Sequence, residues 1–291
     1  MSSSRLYAKL VATMAIWGGT FIVGRLLAHS VSPLVLAFWR FALATLCLMV
    51  LLARTDHGIR PLAPRQWLWA GLLALTGVFA YNLFFFAGLA LIPASRAALL
   101  VALNPIMVAL TGALILRQTL PAHRWLGVAV SLFGAVTVIS HGDYAAILAH
   151  GLGRGEMLIL GCCVSWVSYT LVGRQAMKHL SSVEATAWAA LIGCVLLGAI
   201  AMLRGESLSP ALLAPAQWAG LAYLGALGTC AAFVWYSDGI RMLGAAKTIV
   251  FTNLVPVFAV LAGVLLLGEP VSLPMVVGGL LVVGGVWLTN R

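Results

Sequence analysis

A long apolar stretch with a central proline occurs twice in this sequence. The first copy is residues 93–116, PASRAALLVALNPIMVALTGALIL, and the second is residues 244–267, GAAKTIVFTNLVPVFAVLAGVLLL. Each copy is long enough to cross a lipid bilayer once as a helix. A proline inside such a helix frees a backbone carbonyl, which a neighbouring helix, a hydroxyl group or water must then satisfy. We therefore expect both stretches to face protein or a cavity, and not lipid, at the depth of Pro105 and Pro256.

The correspondence between the two copies extends over most of the chain. Pro105 and Pro256 are 151 residues apart, and many other residues correspond at this offset, or at one about two residues shorter near the start of each copy. The pairs are Pro64 with Pro215, Gln66 with Gln217, Trp67 with Trp218, Gly127 with Gly278, Gly134 with Gly285, Trp17 with Trp166 and Arg25 with Arg174. Repetition of one long unit indicates a duplicated architecture. The sequence therefore predicts two domains, residues 1–149 and residues 150–291.

Composition assigns the chain to the membrane. Hydrophobic residues make up 63% of the chain and charged residues only 8%, and the mean hydropathy is +1.07. A water-soluble domain carries nearer ~25% charged residues. The formal net charge of +10 would indicate nucleic-acid binding in a soluble protein, but here the basic residues lie between apolar runs and indicate topology instead. We therefore predict an all-α polytopic protein of the lipid bilayer that binds no nucleic acid.

Ten apolar runs are separated by short breaks that contain charged residues, proline or glycine. These runs predict ten transmembrane helices. Their approximate bounds are residues 7–28, 33–53, 66–91, 94–116, 122–140, 156–176, 182–203, 216–242, 246–267 and 273–290. The first run follows MSSSRLYAKL without a cleavage-site pattern, so we expect a membrane span there and not a removed signal peptide. The longest break, residues 141–155, is the predicted linker between the two copies.

The distribution of Lys and Arg predicts the orientation. When the ten spans alternate in direction, 12 basic residues fall on the side that holds both termini, and only four, Arg25, Arg96, Arg154 and Arg204, fall on the other side. Because positive charge marks the cytoplasmic side, both termini are predicted to be cytoplasmic. Each copy has an odd number of spans, so the second enters the membrane upside down relative to the first. The predicted fold is an inverted repeat of five helices plus five, which places a substrate site near the midplane between the halves.

Arg40 is the one basic residue predicted to lie within a span. It follows Pro33 by about seven residues, which puts it roughly 10 Å into the second span at 1.5 Å per residue. A charge at that depth is costly unless it is paired or hydrated. Two interpretations remain open. Either Arg40 forms a structural pair with helix-end carbonyls or with Glu269, or it attracts an anionic group of the substrate.

Aromatic and polar residues inside the spans are the best candidates for a substrate cavity. Trp17 and Thr20 share one face of the first span, and Trp166 and Tyr169 share the corresponding face of the sixth. Any single aromatic side chain is better explained by packing, but the symmetric set in the two copies favours a binding role. The predicted substrate-binding residues are Trp17, Thr20, Arg40, Tyr81, Asn82, Phe85, Asn104, Trp166, Tyr169, Trp235, Tyr236 and Asn253.

No catalytic or metal-binding pattern accompanies these residues. The sequence has no HExxH, GxSxG or Walker motif, and its histidines lie in or beside predicted loops. The five cysteines fall inside apolar runs, where we expect packing residues without disulfide or metal. Asp238 is expected to form an interfacial ion pair near Arg241 and Lys247, in preference to binding a coupling ion. We therefore predict no enzyme and no cofactor, but a facilitator whose substrate runs down its own gradient.

Several motifs resemble those of the drug/metabolite transporter superfamily, in members with two EamA-type domains. They are LVPVFAVLAGVLLLGEPVS and GGLLVVGGVWL in the second half, LNPIMVALTGALILRQTL and LGVAVSLFGAV in the first, and AIWGGTFIVGRLL and FWRFALATL near the start. The first half has Arg117-Gln118 where the second half has Glu269. The resemblance covers essentially the whole chain and implies a ten-helix inverted-repeat transporter that exports small metabolites. Within the family, an exporter of aromatic or other neutral amino acids is the first expectation.

Three classes of function can be compared on these features. The repeat, the paired prolines and the polar aromatic residues favour a carrier of small metabolites that works by alternating access, with nucleosides and cationic drugs as alternative cargoes. An intramembrane enzyme would need a catalytic acid, a histidine pair or a metal cluster at membrane depth. A channel would more naturally show a pore-lining stripe within an oligomer. A monomer suffices for the carrier, and short loops with small size favour a bacterial inner membrane.

Overall fold

The computed structural model describes residues 3–55, 58–114, 121–145, 152–243 and 251–289, and these residues form helices without a strand. The elements up to residue 140 are α1 (Ser3–Ala28), α2 (Pro33–Ala53), α3 (Pro64–Leu73), a first π segment (Ala74–Ala80), α4 (Tyr81–Leu89), α5 (Ala94–Val101), α6 (Asn104–Leu114) and α7 (Ala122–Ser140). The later elements are α8 (Arg154–Ala176), α9 (Ser182–Leu203), α10 (Pro215–Ala222), a second π segment (Tyr223–Ala231), α11 (Ala232–Leu243), α12 (Leu254–Leu267) and α13 (Leu273–Thr289). Short 3-10 turns occur at Pro210–Leu212 and Phe251–Asn253.

The helices are those of a polytopic membrane protein. Seven stretches are long and apolar enough to cross a bilayer, namely Arg5–Ala28, Pro33–Ala53, Pro64–Leu89, Ala122–Ser140, Arg154–Gly173, Ser182–Leu203 and Pro215–Tyr236. Three shorter apolar helical stretches are Ala94–Val108, Phe251–Leu267 and Leu273–Thr289. The all-helical membrane fold agrees with the prediction from composition. The count of ten spans and the inverted repeat stay predictions at this point.

Two of the long helical stretches change to π-helical geometry in the middle. The first π segment joins α3 to α4, and the second joins α10 to α11. A π-helical turn breaks the i to i+4 bonding pattern, so some carbonyls need other donors. Nδ2 of Asn82 donates to the Val78 carbonyl at 2.8 Å, and Oγ1 of Thr229 donates to the Leu224 carbonyl at 2.9 Å. The spans predicted from the sequence at residues 66–91 and 216–242 contain no such interruption.

The two prolines that organise the sequence do not lie inside unbroken helices. The helix α5 ends at Val101, and α6 begins only at Asn104, so Pro105 falls in the first turn of a new helix. A 3-10 turn likewise precedes α12, where Pro256 is buried in the first turn. Proline fits the first turn of a helix because the N–H groups of that turn have no carbonyl partner within the helix, so the missing N–H costs no hydrogen bond. The expectation of one continuous helix was therefore wrong for residues 94–114, where the chain turns between Val101 and Asn104. Residues 244–250 of the second stretch lie outside the described residues, and Pro256 is buried, as expected.

The helices α7 and α13 cross with their backbones in contact. An added Cβ on one helix would lie 2.5–2.7 Å from a carbonyl oxygen of a glycine on the other. The facing pairs are Gly127 with Gly285 and Gly134 with Gly278. Between these pairs, Oγ of Ser131 donates to the Val282 carbonyl at 3.0 Å. Small residues at such a crossing are the usual route to close helix packing in membranes.

Most other large helix contacts join an early helix to a late one. The helix α1 packs against α11 and α12, the helix α8 packs against α4, α5 and α6, and α2 packs against α9. Two glutamines add hydrogen bonds across the same boundary. Gln66 donates through Nε2 to the His179 carbonyl at 2.7 Å, and Gln217 donates through Nε2 to the Ser30 hydroxyl at 3.0 Å. The first and second parts of the chain are therefore interleaved, and side chains from both line the region between them.

Candidate functional site

Arg40 lies in the interior, on the face of α2 that meets the π-interrupted helices. Its side chain is buried, with the residue only 8% exposed. NH1 donates to Oδ1 of Asn82 at 3.0 Å, and both Nε and NH2 lie 3.4 Å from Oγ1 of Thr229. The guanidinium also lies 5.6 Å from the centroid of the Phe41 ring. One cation is thus held by neutral groups of the first and second halves of the chain.

Glu269, one of the partners considered for Arg40, does not form that pair. The Glu269 carboxylate accepts hydrogen bonds from the backbone N–H groups of Ala94 at 2.7 Å and Ser95 at 3.0 Å, and from the Ser95 hydroxyl. Its Oε1 lies 4.0 Å from Nε of Arg25. A carboxylate is favoured at this place because the first turn of α5 presents unbonded N–H groups and the positive end of the helix dipole. These four residues are called the Glu269 cluster below.

A second charged group lies at the same end of the helices. Arg96 donates through NH1 to Nε2 of His141 at 2.9 Å, and through NH2 to the Ile139 carbonyl. The same NH2 lies 2.8 Å from Oε1 of Glu156, which is only 4% exposed. His141 follows α7 and is exposed, as expected for a histidine in or beside a loop, and its ring accepts from this arginine. Both buried carboxylates at this end therefore neutralise an arginine.

The opposite end carries a more exposed ion pair. Nζ of Lys9 lies 3.7 Å from Oδ2 of Asp238. The prediction of an ion pair for Asp238 is confirmed with Lys9, which the sequence analysis did not name as its partner. The Arg241 side chain and Lys247 lie outside what the structure describes. A groove beside this pair is lined by Arg5, Ala8, Lys9, Ala12 and Trp235.

An aromatic cluster joins α1 to α11. The ring of Trp17 lies 5.6 Å from Phe233 and 5.3 Å from Tyr236, centroid to centroid. Its Nε1 donates to the Gly228 carbonyl of the second π segment at 3.0 Å. The neighbouring Thr20 is buried and donates to the Trp17 carbonyl at 2.6 Å. The indole is therefore fixed at both its polar and its apolar side.

A matching aromatic cluster joins α8 to α4. Trp166 lies 5.5 Å from Tyr81 and 5.3 Å from Tyr169. Tyr81 in turn stacks on Phe85 at 5.8 Å with only 14° between the ring planes, and Phe85 meets Phe21 of α1 at 5.2 Å. Each tryptophan thus packs on aromatic rings of a π-interrupted stretch from the other part of the chain. Arg40 lies between the two clusters, since its partners directly follow Tyr81 and Gly228 in sequence.

Comparison with known proteins settles the family. The sequence matches the EamA-like transporter family over residues 6–140 and again over residues 153–291. The chain belongs to the EamA-like transporter family. This places it in the drug/metabolite transporter superfamily, as the motifs predicted. The EamA-like match covers nearly the whole chain, so the fold described above is that of a transporter.

Relatives of this EamA-like chain carry transporter names. It is 28% identical to "Uncharacterized transporter YyaM" of Bacillus subtilis over 98% of this chain and 93% of the relative. It is 30% identical to "Uncharacterized inner membrane transporter YedA" of Escherichia coli K12, over 92% and 84%. It is 26% identical to "Probable terminal-alkyne amino-acid exporter" of Streptantibioticus cattleyicolor, over 100% and 95%. A crystal structure at 20% identity matches with a TM-score of 0.65 over 99% of both chains, which shows a shared fold.

Within this EamA-like fold, nine of the predicted site residues contact at least one other predicted site residue, in three groups: the Trp17 group, the Arg40 pair and the Trp166 group. These residues are Trp17, Thr20, Arg40, Tyr81, Asn82, Phe85, Trp166, Tyr169 and Tyr236. Three predicted residues lie apart from them in the described contacts. Trp235 lines the groove beside Lys9, Asn253 directly precedes α12, and the buried Oδ1 of Asn104 has no partner among the described residues.

Two residues of the site escaped the sequence analysis. Thr229 binds Arg40, yet it is a single small polar residue in the apolar run LGALGTCAAF. Gly77 lies against the Tyr169 ring, where an added Cβ would overlap the ring atoms. Both residues lie in π segments, which concentrate at functional sites but which the sequence does not reveal. Gly77 lies four residues before Tyr81, about one helical turn, whereas Thr229 lies six residues before Trp235, so no single spacing rule would have found both.

Proposed function

We propose that this protein is an alternating-access exporter of small metabolites, and that its cargo is an aromatic or other neutral amino acid. The observation that carries the proposal is the buried Arg40 between the two aromatic clusters of Trp17 and Trp166. Arg40 and these two clusters are called the chamber below, because the proposed mechanism opens this region to the cargo. Small-molecule sites are typically built from apolar walls and a few placed polar groups. Transport follows from the family, and the relative named as an amino-acid exporter supports the cargo class.

The fold proposed for this exporter is an inverted repeat of two five-helix domains, residues 1–149 and 150–291. The α7–α13 crossing supports it, because Gly127 corresponds to Gly278 in the sequence repeat but contacts Gly285, the counterpart of Gly134. Such reciprocal contacts are those of two equivalent units related by a two-fold axis. Ser131 bonds to its own counterpart, Val282, which lies at the axis.

The glutamine bonds support the same symmetry. Gln66 and Gln217 correspond in the repeat, and each reaches the connection after the first helix of the opposite half, at His179 and Ser30. The aromatic clusters also support this symmetry, because the corresponding residues Trp17 and Trp166 each pack on aromatic rings of the opposite half. In transporters built from inverted repeats, the substrate binds at the interface of the repeats. The proposed cargo site lies at this interface.

The proposed orientation has both termini in the cytoplasm of a bacterium and the Glu269 cluster at the outer side of its inner membrane. The positive-inside distribution supports this orientation. The proposed mechanism is facilitated transport without a coupling ion. Its support is that, among the described residues, no carboxylate lies in the chamber, while Asp238 and Glu269 are engaged by basic or backbone partners near the helix ends.

Counterflow in proteoliposomes tests the proposal. Vesicles loaded with unlabelled phenylalanine should accumulate labelled phenylalanine without a proton or sodium gradient, and vesicles loaded with uridine or tetraphenylphosphonium should not. Trp17→Ala should reduce the rate, because it removes the indole that contacts both Tyr236 and Gly228. Trp125→Ala is the matched control, since Trp125 lies exposed on α7.

Failure of every amino acid in a broad panel to exchange would refute the proposed cargo. Uptake that required a pH step and was lost in Asp238→Asn would refute facilitated transport and assign coupling to that carboxylate. Exchange of uridine or tetraphenylphosphonium in place of amino acids would move the protein to one of the other cargo classes.

A further inference from the structure

From the surroundings of Arg40 we infer that the chamber recognises the carboxylate of an arylalkyl acid and contains no built site for an ammonium group. This inference rests on the proposed function, in that the ligand is taken to be the cargo. The inference defines the substrate class by its carboxylate. Both aromatic amino acids and aromatic monocarboxylates without an amino group should bind. Aromatic amines without a carboxylate should not bind. Four features of the chamber lead to it.

The first feature is an unbalanced charge. Arg25 and Arg96 each lie within 4.0 Å of a carboxylate. Arg40 is more deeply buried, and no carboxylate of the described residues lies within salt-bridge distance of it. A buried charge without a counterion is unfavourable, and its environment therefore favours any ligand that supplies the opposite charge.

The second feature is the geometry of the guanidinium contacts. The Nε and NH2 groups form the edge of arginine that binds a carboxylate through two parallel hydrogen bonds. In this structure both point to one oxygen, Oγ1 of Thr229, at the long distance of 3.4 Å. NH1 on the other side is held firmly by Asn82 at 3.0 Å. Asn82 thus orients the guanidinium, and its two-donor edge has only a weak partner that a carboxylate can replace.

The third feature is that the second half has no charged residue at the position that corresponds to Arg40. In the sequence repeat Arg40 corresponds to Ala189, since Ser32 and Ser181 cap the corresponding helices α2 and α9. Asn82 and Thr229 likewise have Phe233 and Val78 as counterparts. The architecture itself therefore does not require a polar triad at this place. Its presence in one copy only favours a ligand-binding role over a structural one.

The fourth feature concerns acceptors for an ammonium group. The natural candidates are carbonyls released by the two π segments, but donors of the protein already occupy those in the chamber. Nδ2 of Asn82 donates hydrogen bonds to the carbonyls of Gly77 and Val78, and Nε1 of Trp17 donates to the carbonyl of Gly228. Oγ1 of Thr229 donates a hydrogen bond to a fourth carbonyl, that of Leu224. An amino group entering the chamber would meet a cation, and each of these four carbonyls already accepts one hydrogen bond, which leaves only a second lone pair for an ammonium group.

Ligand binding to the purified wild-type protein tests the inference without any mutation. The probes are phenylalanine, 3-phenylpropionate, which lacks the amino group, and 2-phenylethylamine, which lacks the carboxylate. We expect the first two to displace labelled phenylalanine and to raise the unfolding temperature, and the amine to do neither. Equal displacement by the amine and by 3-phenylpropionate would overturn the inference.

Variants then assign the effect to Arg40. Arg40→Gln should weaken 3-phenylpropionate binding at least about tenfold, and Arg40→Lys should restore it in part, because an ammonium offers charge but no bidentate edge. Arg204→Gln is the matched control, since it removes the same charge at an exposed position. Unchanged affinity in Arg40→Lys and Arg40→Gln, both shown to be folded by their unfolding temperatures, would overturn the inference.

The inference and the proposed function fail in different ways. Arg40-dependent binding of 3-phenylpropionate to a protein that exchanges no amino acid would refute the proposed cargo and support the carboxylate site. Phenylalanine counterflow that 2-phenylethylamine inhibits and 3-phenylpropionate does not would support the proposed cargo and refute the carboxylate site.

Discussion

Replacing Glu269 by glutamine should open the end of the molecule at which the Glu269 cluster lies. The carboxylate accepts the N–H groups of Ala94 and Ser95 and the Ser95 hydroxyl, and it faces Arg25 at 4.0 Å. These contacts join the connection before α13 to the start of α5 and to α1. They hold the structure closed at this end, so they must break when it opens.

The size of the effect follows from the lost contacts. A glutamine keeps one oxygen acceptor, but its amide NH2 then faces an N–H donor, and the charge opposite Arg25 is gone. Hydrogen bonds to a charged group contribute about 1.5–3 kcal/mol each. Losing the equivalent of one such bond, about 2 kcal/mol, shifts the equilibrium between closed and open states by about 30-fold, at 1.36 kcal/mol per tenfold.

Cysteine labelling measures this equilibrium. Ala98 lies one turn beyond Ser95 on α5 and is only 1% exposed. In a variant without the five native cysteines, Ala98→Cys should react with a maleimide about 30 times faster when Glu269→Gln is added, if labelling follows the open population. Glu206→Gln is the matched control, because Glu206 binds Ser32 and touches no residue of the Glu269 cluster.

Two results would refute this reasoning. An unchanged labelling rate at Ala98→Cys would show that the carboxylate does not hold the closed state. An equal increase at Ala201→Cys, a buried position on α9, would show general loosening of the fold and not local opening.

Three further predictions concern packing and topology. Gly285→Ala should lower the free energy of unfolding by about 1–3 kcal/mol, because the added Cβ would lie 2.5 Å from the Gly127 carbonyl oxygen. Gly284→Ala, whose added Cβ would meet nothing within 4 Å, should unfold like the wild type. Gly77→Ala should slow counterflow by displacing the Tyr169 ring, whereas Gly71→Ala, in open space, should not; equal rates would exclude a role for that ring. Single cysteines in the 141–154 linker and in residues 54–65 should react with an impermeant reagent from opposite sides of the membrane; labelling from one side would refute the inverted repeat.

The sequence predicts those features that repeat along the chain. Apolar runs predict the helices, and the correspondence of Trp17 with Trp166 predicts the two aromatic clusters. Both inferences depend on local patterns, which a sequence displays directly. The π segments were missed because residues such as those around Thr229 have ordinary helical composition.

Long-range partners could not be predicted in the same way. Glu269 was one possible partner of Arg40 because the predicted topology put both toward the same side, but this carboxylate accepts from a helix start 175 residues earlier in the chain. Which of several cations an acid meets depends on the rotation and depth of each helix. Those quantities follow from glycine contacts such as Gly134 with Gly278, and hydropathy alone does not specify them.

The α7–α13 crossing bears on the ancestry of the chain. On the proposed inverted repeat, this contact is one that a single five-helix unit makes with an upside-down copy of itself, since each glycine meets the counterpart of its partner. A gene for one such unit, inserted in both orientations, would already yield a complete pair. Once the unit is present in two copies, each copy needs to serve only one orientation, and the two can diverge, as Arg40 and its counterpart Ala189 have done.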